Sequence, residues 1–517
     1  MNNTNLDDNI ESIKYAFLDK PQKFSALFII FCAFLALTFI LGGANENDYL
    51  ANVILEYLSL PVLALSIYVL LTSETRKINA VYIIYGILCI LLFLLIQLMP
   101  LSESTWRSLP FHDLAAKGLS IVDIKHPSGP LSLAPYLTWV SFLSFLPPLA
   151  IFLGVLSLNS NERKALVYLV LTCGIANAFL GLIQFSLNSV DGAYLYPNKN
   201  PSEILGFFKN RNHFSSIMYA MIPYSMALSA SALTSHTRNK RHPTFVDNMP
   251  LLLVGQVCLF IFIVCCVMAR SRAGLIILML ALIWTAFLPR WKSLGADSRI
   301  RGGKHYKKYF IFILLFALLF ALEFGFSRLL DRFETDPLQD ARVRISRNTF
   351  HAALTAFPYG TGLGTFQNIY AATEPVRDVI SHKFANRAHN DYLEFILETG
   401  AFGFIIIICF YLWYLIRLFF VWFSDSSQQT NSYLPRAASI TIGLLLLHSF
   451  VDYPLRTQAM MGLFALSCAL LARIPPEIQG HERDQSMPYN SKLLSDKYRN
   501  ASPKKKRIRQ NISRHSR

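Results

Sequence analysis

Apolar residues along this chain run in long uninterrupted blocks. The blocks cover approximately Phe24 to Leu41, Val53 to Thr72, Ala80 to Met99, Pro135 to Leu158, Ala165 to Leu187, Ser215 to Thr234, Pro250 to Ala269, Leu275 to Leu288, Tyr309 to Phe326, Ala401 to Phe423, Ala437 to Val451 and Ala459 to Ile474. Most have the length a helix needs to cross about 30 Å of hydrocarbon at about 1.5 Å per residue. The pattern predicts an all-α integral membrane protein with about twelve transmembrane helices in residues 24–475, between an N-terminal segment 1–23 and a tail 476–517. The eighth block is short, and the eleventh is interrupted by His448 and bordered by Asp452.

Composition sharpens this picture. Of 517 residues, 53% are hydrophobic and 15% charged, where soluble domains carry roughly a quarter charged. Mean hydropathy is +0.38. A disordered chain, a collagen and a water-soluble enzyme are excluded. The eight cysteines all lie inside apolar blocks, which implies neither a disulfide framework nor a CxxC metal site.

The net charge of +16 is concentrated in the tail, at Lys504, Lys505, Lys506, Arg507, Arg509, Arg514 and Arg517, and in the loop from Arg290 to Lys308. Both suit a cytoplasmic face opposed to anionic lipid. No nucleic-acid motif accompanies them, so no nucleic-acid partner is expected. Asp7, Asp8 and Glu11 precede the first block without a small-residue cleavage pattern, which predicts a retained cytoplasmic segment.

Short connections carry Arg76/Lys77, Arg163/Lys164, Arg238/Lys240/Arg241 and the Arg290 to Lys308 cluster on one side, whereas Ala44 to Asn52 has no Lys or Arg. The positive-inside bias then puts both termini in the cytoplasm. Four segments face outward: Leu101 to Leu133, Asn188 to Phe214, the turn Arg270 to Gly274, and Arg328 to Gly400. The last is too long for an idle connector and predicts a helical cap over 328–400.

The outer segments are basic, with Arg211, Arg270, Arg272, Arg328, Arg332, Arg342, Arg344, Arg347, Arg377, Arg387 and Arg456. Arg270 and Arg272 bracket a turn beside hydrocarbon, where ionisable groups pair within the bundle or bind a ligand. A guanidinium fork suits a pyrophosphate at that depth. In the run Arg387 to Gly400, helical spacing puts His389, Leu393, Ile396 and Gly400 on one face and Asp391, Glu394 and Glu398 on another. His389 is then either a packed residue or a proton acceptor for an attacking hydroxyl, with Asp391 or Glu394 as orienting groups. Gly360, Gly362 and Gly364 either permit turns or let backbone amides approach a ligand. Glu56, His448 and Asp452 read as hydrogen-bonding groups inside the bundle.

Taken in order, Gly206 to Phe214, Ser271-Arg272-Ala273-Gly274, Asp340-Ala341-Arg342, Gly360 to Phe366, Ala388 to Leu393 with Glu398 and Gly400, and Asp452-Tyr453-Pro454-Leu455 resemble the bacterial O-antigen ligase and O-antigen polymerase superfamily. The resemblance covers about half the chain. It implies a membrane glycosyltransferase in the bacterial inner membrane, with a periplasmic active site and no cofactor or metal. Such an enzyme takes a glycan from undecaprenyl pyrophosphate and passes it to a hydroxyl of a glycan, lipid A core or protein acceptor.

The implied catalytic residues are His389, Arg272 and Arg342, with Arg344 or Arg347 as alternatives to Arg342. Arg211, Arg270, Arg344, Asp391 and Glu394 are expected around the substrate. The hydroxyl would attack the anomeric carbon in line, with inversion, while pyrophosphate departs. Chain-length regulators and flippases of the same pathway are implied partners. A lipid-linked oligosaccharide transporter, a protein O-oligosaccharyltransferase and a non-catalytic scaffold are the rival readings.

Overall fold

The computed structural model describes residues 24–44, 50–73, 77–124, 128–187, 189, 193–197, 203–235, 249–288, 315–316, 319, 338–379, 384–423 and 433–472. Segment 1–23, the loop Arg290 to Lys308, nearly all of the ninth apolar block, Arg328, Arg332, and the tail 476–517 lie outside them.

The eleven apolar blocks that fall among the described residues are helical. They form α1 (Ala26–Leu41), α2 (Leu50–Thr72), α3 (Lys77–Ile96), the pair α6 (Pro135–Leu143) and α7 (Leu146–Ser157), α8 (Ser160–Leu187), α9 (Arg211–Ser235), α10 (Met249–Met268), α11 (Arg272–Ala286), α14 (Asp391–Phe423), α15 (Tyr433–His448) and α16 (Gln458–Leu471). Two short helices, α4 (Glu103–Ser108) and α5 (His112–Ile121), lie between two-residue strands β1 (Pro100–Leu101) and β2 (Gly129–Pro130), which pair antiparallel.

Five helical stretches among the described residues are long and apolar enough to cross a bilayer: Leu50–Thr72, Pro135–Ser157, Ser160–Leu187, Met249–Met268 and Asp391–Phe423. The expected count of twelve spans is not reached by that measure, for physical reasons. α9 buries Ser215, Ser216, Ser225 and Ser229 among its neighbours, which lowers its hydropathy although it is internal. α1, α11 and α16 are apolar but shorter.

Chain direction sorts the helix ends. At one end Gly42 after α1 accepts from Ala459 N at the start of α16 (2.9 Å), and the Gln97 amide after α3 donates to Glu398 O of α14 (3.2 Å). At the other end Ser25 N and Oγ donate to Glu162 Oε1 of α8 at 2.9 and 2.6 Å. There Arg436 is 2% exposed, donates to Leu288 O and Val421 O at 3.3 and 3.4 Å, and lies 5.2 Å over the Trp422 ring. Its charge is balanced by the carbonyl-bearing ends of α11 and α14.

The main core gathers residues of α1, α2, α7 to α11, α15 and α16. A separate small core holds Ala352, Ala353 and Ala356 of α12 (Leu338–Ala356), Phe366, Ile369 and Tyr370 of α13 (Phe366–Thr373), and Ala388 and Leu397. The stretch before Gly400 therefore packs as a helical layer of its own. Beyond Gly400, α14 exposes Phe404, Ile405, Ile408, Leu412, Leu415 and Phe419, a surface suited to hydrocarbon.

The glycine-rich loop joins these parts. Gly360 (φ 78) would drive a Cβ to 2.6 Å from Glu398 O, and Gly400 (φ 62) would drive one into Pro358 O. Thr361 N and Gly362 N donate to Leu397 O and Glu398 O at 3.1 and 2.9 Å. Here the glycines serve close backbone approach at the α14 kink, which a side chain would block.

Candidate active site

The start of α14 is set by Asn390, whose Oδ1 accepts from Tyr392 N and Leu393 N, both at 3.0 Å. That is an N-cap, and it ends the helix one residue after His389. His389 therefore lies before the helix, not on its face as the periodicity suggests, and takes a left-handed backbone with φ 52. Asn210 does the same for α9, accepting from Asn212 N at 2.8 Å.

Both caps deliver side chains to Asp452, in the turn between α15 and α16. His389 Nδ1 meets Asp452 Oδ1 at 3.2 Å, and Asn212 Nδ2 donates to Asp452 Oδ2 at 2.6 Å. Arg342 Nη2 of α12 is 4.0 Å from the same Oδ2, and Tyr453 N donates to Oδ1 at 3.1 Å. Asp452 is fully buried. Burial raises its carboxyl, yet the hydrogen bond from His389 and the charge of Arg342 hold it well below the usual carboxylate range. An ionised carboxylate only accepts, so Nδ1 of His389 carries the hydrogen, and in the neutral ring the lone pair is then on Nε2.

Beside this pair opens a cleft of about 300 Å³ lined by Glu203, Lys209, Asn210, Arg211, Asn212, Arg342, Asn386 and Tyr453. Tyr453 forms the shared wall, with its ring 5.0 Å from that of His389 and 5.2 Å from that of His213. Arg211 also pairs with Glu203 at 3.1 Å. Three cationic residues against one glutamate make the cleft suited to an anion.

The remaining candidates are distributed around it. Arg270 lies in the turn two residues past α10, with φ 53. Arg272 opens α11, whose cap Ser271 accepts from Gly274 N at 3.1 Å. Gly274 packs directly on Ser215 of α9, the residue three past Asn212; Arg272 itself does not line the cleft. Arg344 is two residues from Arg342, about 200° around α12. It shares its side with Arg347, which lies 3.6 Å from Asp378. Arg342 is thus the arginine of this helix that reaches Asp452 and the cleft.

The ring of His389 is met by Asp452 and not by Asp391 or Glu394, the orienting groups the sequence suggested. They turn the other way, as residues on the opposite helical side must. Asp391 Oδ2 accepts from Ser449 Oγ at 2.9 Å. Glu394 takes Arg387 Nη1 and Ala388 N, each at 2.9 Å. Neither lines the cleft. His448 does act inside the bundle: its Nδ1 meets Ser216 Oγ at 3.1 Å and Tyr219 Oη at 2.8 Å. Asp452, read from the sequence alongside it, belongs to the site instead. Asn212, Lys209 and Tyr453 also line the cleft, and they stand within the segments Gly206 to Phe214 and Asp452 to Leu455.

An O-Antigen ligase family model matches residues 257–408 of the chain. That segment contains Arg272, Arg342 and His389. No curated protein matches the chain.

Proposed function

We propose that this chain is a membrane glycosyltransferase of the O-antigen ligase and polymerase superfamily acting on lipid-linked glycans, a reading that the O-antigen ligase match at residues 257–408 supports. Its role is in surface polysaccharide synthesis. In this reading the donor is a glycan on undecaprenyl pyrophosphate, the acceptor is a hydroxyl of a glycan, lipid A core or protein, and transfer occurs on the periplasmic face of the inner membrane. Both termini are cytoplasmic, and about twelve helices cross the bilayer. The observation that carries the proposal is the convergence of His389 and Arg342 on buried Asp452 at the wall of a cationic cleft.

The chemistry follows from those residues. Nε2 of His389 takes the proton of the attacking hydroxyl as its oxygen closes on the anomeric carbon, and Asp452 holds the ring in the required tautomer and balances the imidazolium that forms. The C–O bond to the diphosphate breaks on the opposite face, inverting the anomeric centre. Arg342, Arg211 and Arg272 stabilise the charge gained by the departing diphosphate, and the reaction uses no metal or cofactor. Arg270 and Arg344 do not line the cleft and contribute only to the longer-range positive potential around it.

The test is reconstitution of the full chain in proteoliposomes with a synthetic undecaprenyl-pyrophosphate oligosaccharide. Lengthened lipid-linked chains, or glycan moved to an offered lipid A core or protein, support the proposal; donor crossing the bilayer unmodified overturns it in favour of transport. Arg272→Lys keeps the charge and loses the planar fork. It is expected to lower kcat/KM about a hundredfold, the usual cost of removing one preorganised donor at a developing anion. A near-normal rate in the same assay rules out bidentate phosphate contact.

A further inference from the structure

Arg456, at the end of the short turn Pro454–Arg456, distributes its guanidinium over three carboxylates. Nε lies 3.4 Å from Asp391 Oδ1, Nη2 3.3 Å from Glu394 Oε1, and Nη1 3.6 Å from Glu398 Oε2. Those acids stand at i, i+3 and i+7 on α14, so one face of the helix meets one cation. The group is largely enclosed: the arginine side chain is 19% exposed, Glu394 and Glu398 are fully buried. None of the four residues lines the cleft.

The two ends of this array are the two segments that make the site. Asp452 is four residues before Arg456 on one strand of chain. On the other, Glu394 grips Arg387 and Ala388, the residues leading into His389. Asp391 adds a second tie, accepting from Leu455 N at 3.4 Å while its own N–H donates to Ser449 O at 3.0 Å. His389 meanwhile holds a left-handed backbone, a conformation costly for a residue with a Cβ and kept only where the surroundings impose it.

We propose that Arg456 is a positioning residue: by clamping Asp391, Glu394 and Glu398 to the turn that bears Asp452, it fixes His389 against that carboxylate. This rests on the glycosyl-transfer reading for its kinetic consequence, but not for its geometric one. Arg456 touches neither donor nor acceptor. Lysine cannot span three carboxylates spread along two turns of helix, since its ammonium is a single point charge.

The experiment uses the full chain in proteoliposomes and compares wild type, Arg456→Lys, and the charge-balanced pair Arg456→Met with Glu398→Gln. Two quantities are read. One is kcat and KM for transfer from the synthetic undecaprenyl-pyrophosphate oligosaccharide. The other, independent of turnover, is the rate of diethyl pyrocarbonate modification at His389 by mass spectrometry, referenced to exposed His351. Arg456→Lys is expected to leave yield and size-exclusion profile unchanged, lower kcat about tenfold or more with KM little altered, and speed modification of His389 at least threefold relative to His351. The charge-balanced pair, which removes one cation and one carboxylate together, keeps the protein folded if the lysine variant fails to assemble, and should show the same release of His389. Unchanged His389 reactivity in a folded variant overturns the proposal, as does a loss confined to KM, which would mark substrate contact. Wild type that transfers no glycan, with His389 still released in the variants, refutes the transferase reading and leaves the clamp standing.

Discussion

Replacing His389 by alanine is expected to abolish polymer or ligated product in cells while leaving the protein at its normal level in the membrane. In the reconstituted assay the rate should fall by about a hundred- to ten-thousandfold, the range for losing a positioned general base. The expected stability cost is small because alanine meets the same left-handed backbone penalty at φ 52 that histidine already bears, and because the imidazole is part-exposed, at 19%. His389→Asn removes the remaining ambiguity. Asparagine tolerates that backbone region well and its amide donates to Asp452, so it preserves the fold and supplies no base. Product of normal length from either variant, at normal expression, removes His389 from the chemistry.

Asp452→Asn should be almost as damaging although it changes one atom. The carboxylate accepts from three donors, His389 and Tyr453 N at Oδ1 and Asn212 at Oδ2, and pairs with Arg342 at 4.0 Å. An amide offers one acceptor atom and one donor group. If its oxygen faces Asn212, its NH2 confronts His389 and the Tyr453 N–H; if it turns over, two amide donors collide at 2.6 Å spacing. In the first arrangement Nδ1 must become the acceptor, which moves the hydrogen to Nε2 and takes away the lone pair that receives the hydroxyl proton. The wrong-tautomer penalty known for histidine–carboxylate pairs reaches about ten-thousandfold in kcat. A loss in kcat of at least a hundredfold with KM changed severalfold or less is expected in steady-state transfer kinetics. Retention of more than a tenth of the wild-type kcat would mean that tautomer control is not what Asp452 does.

Membrane architecture was readable from the chain because block length is a direct consequence of bilayer thickness. At α9 the serines facing neighbouring helices dilute the apolar signal, yet the block Ser215 to Thr234 is helical as expected. Side-chain partners were readable only within one element. The spacing of Asp391, Glu394 and Glu398 gave their shared face, and Arg456 is indeed found against it. The partner of His389 lies 63 residues away, and no period along a helix reports a contact between elements. Arg342 and Arg344 posed the same difficulty. Their opposite orientations follow from helical geometry, but which side of α12 faces the cleft depends on packing in the cap core. Asp452 was hidden by its setting: at the edge of an apolar block, a buried acid looks like a helix-bundle hydrogen bond until its neighbours are seen.

The carboxylate at 452 and the amide at 212 both come from outside residues 257–408, the stretch that the ligase family model recognises. An excised fragment with those bounds would carry the imidazole and the α12 guanidinium without the Asp452 carboxylate that receives both, and the carboxylates of α14 without Arg456. The proposed catalytic unit therefore draws on sequence well beyond its most recognisable portion, and chimeras that exchange only that portion would transplant the His389 imidazole without the carboxylate it meets.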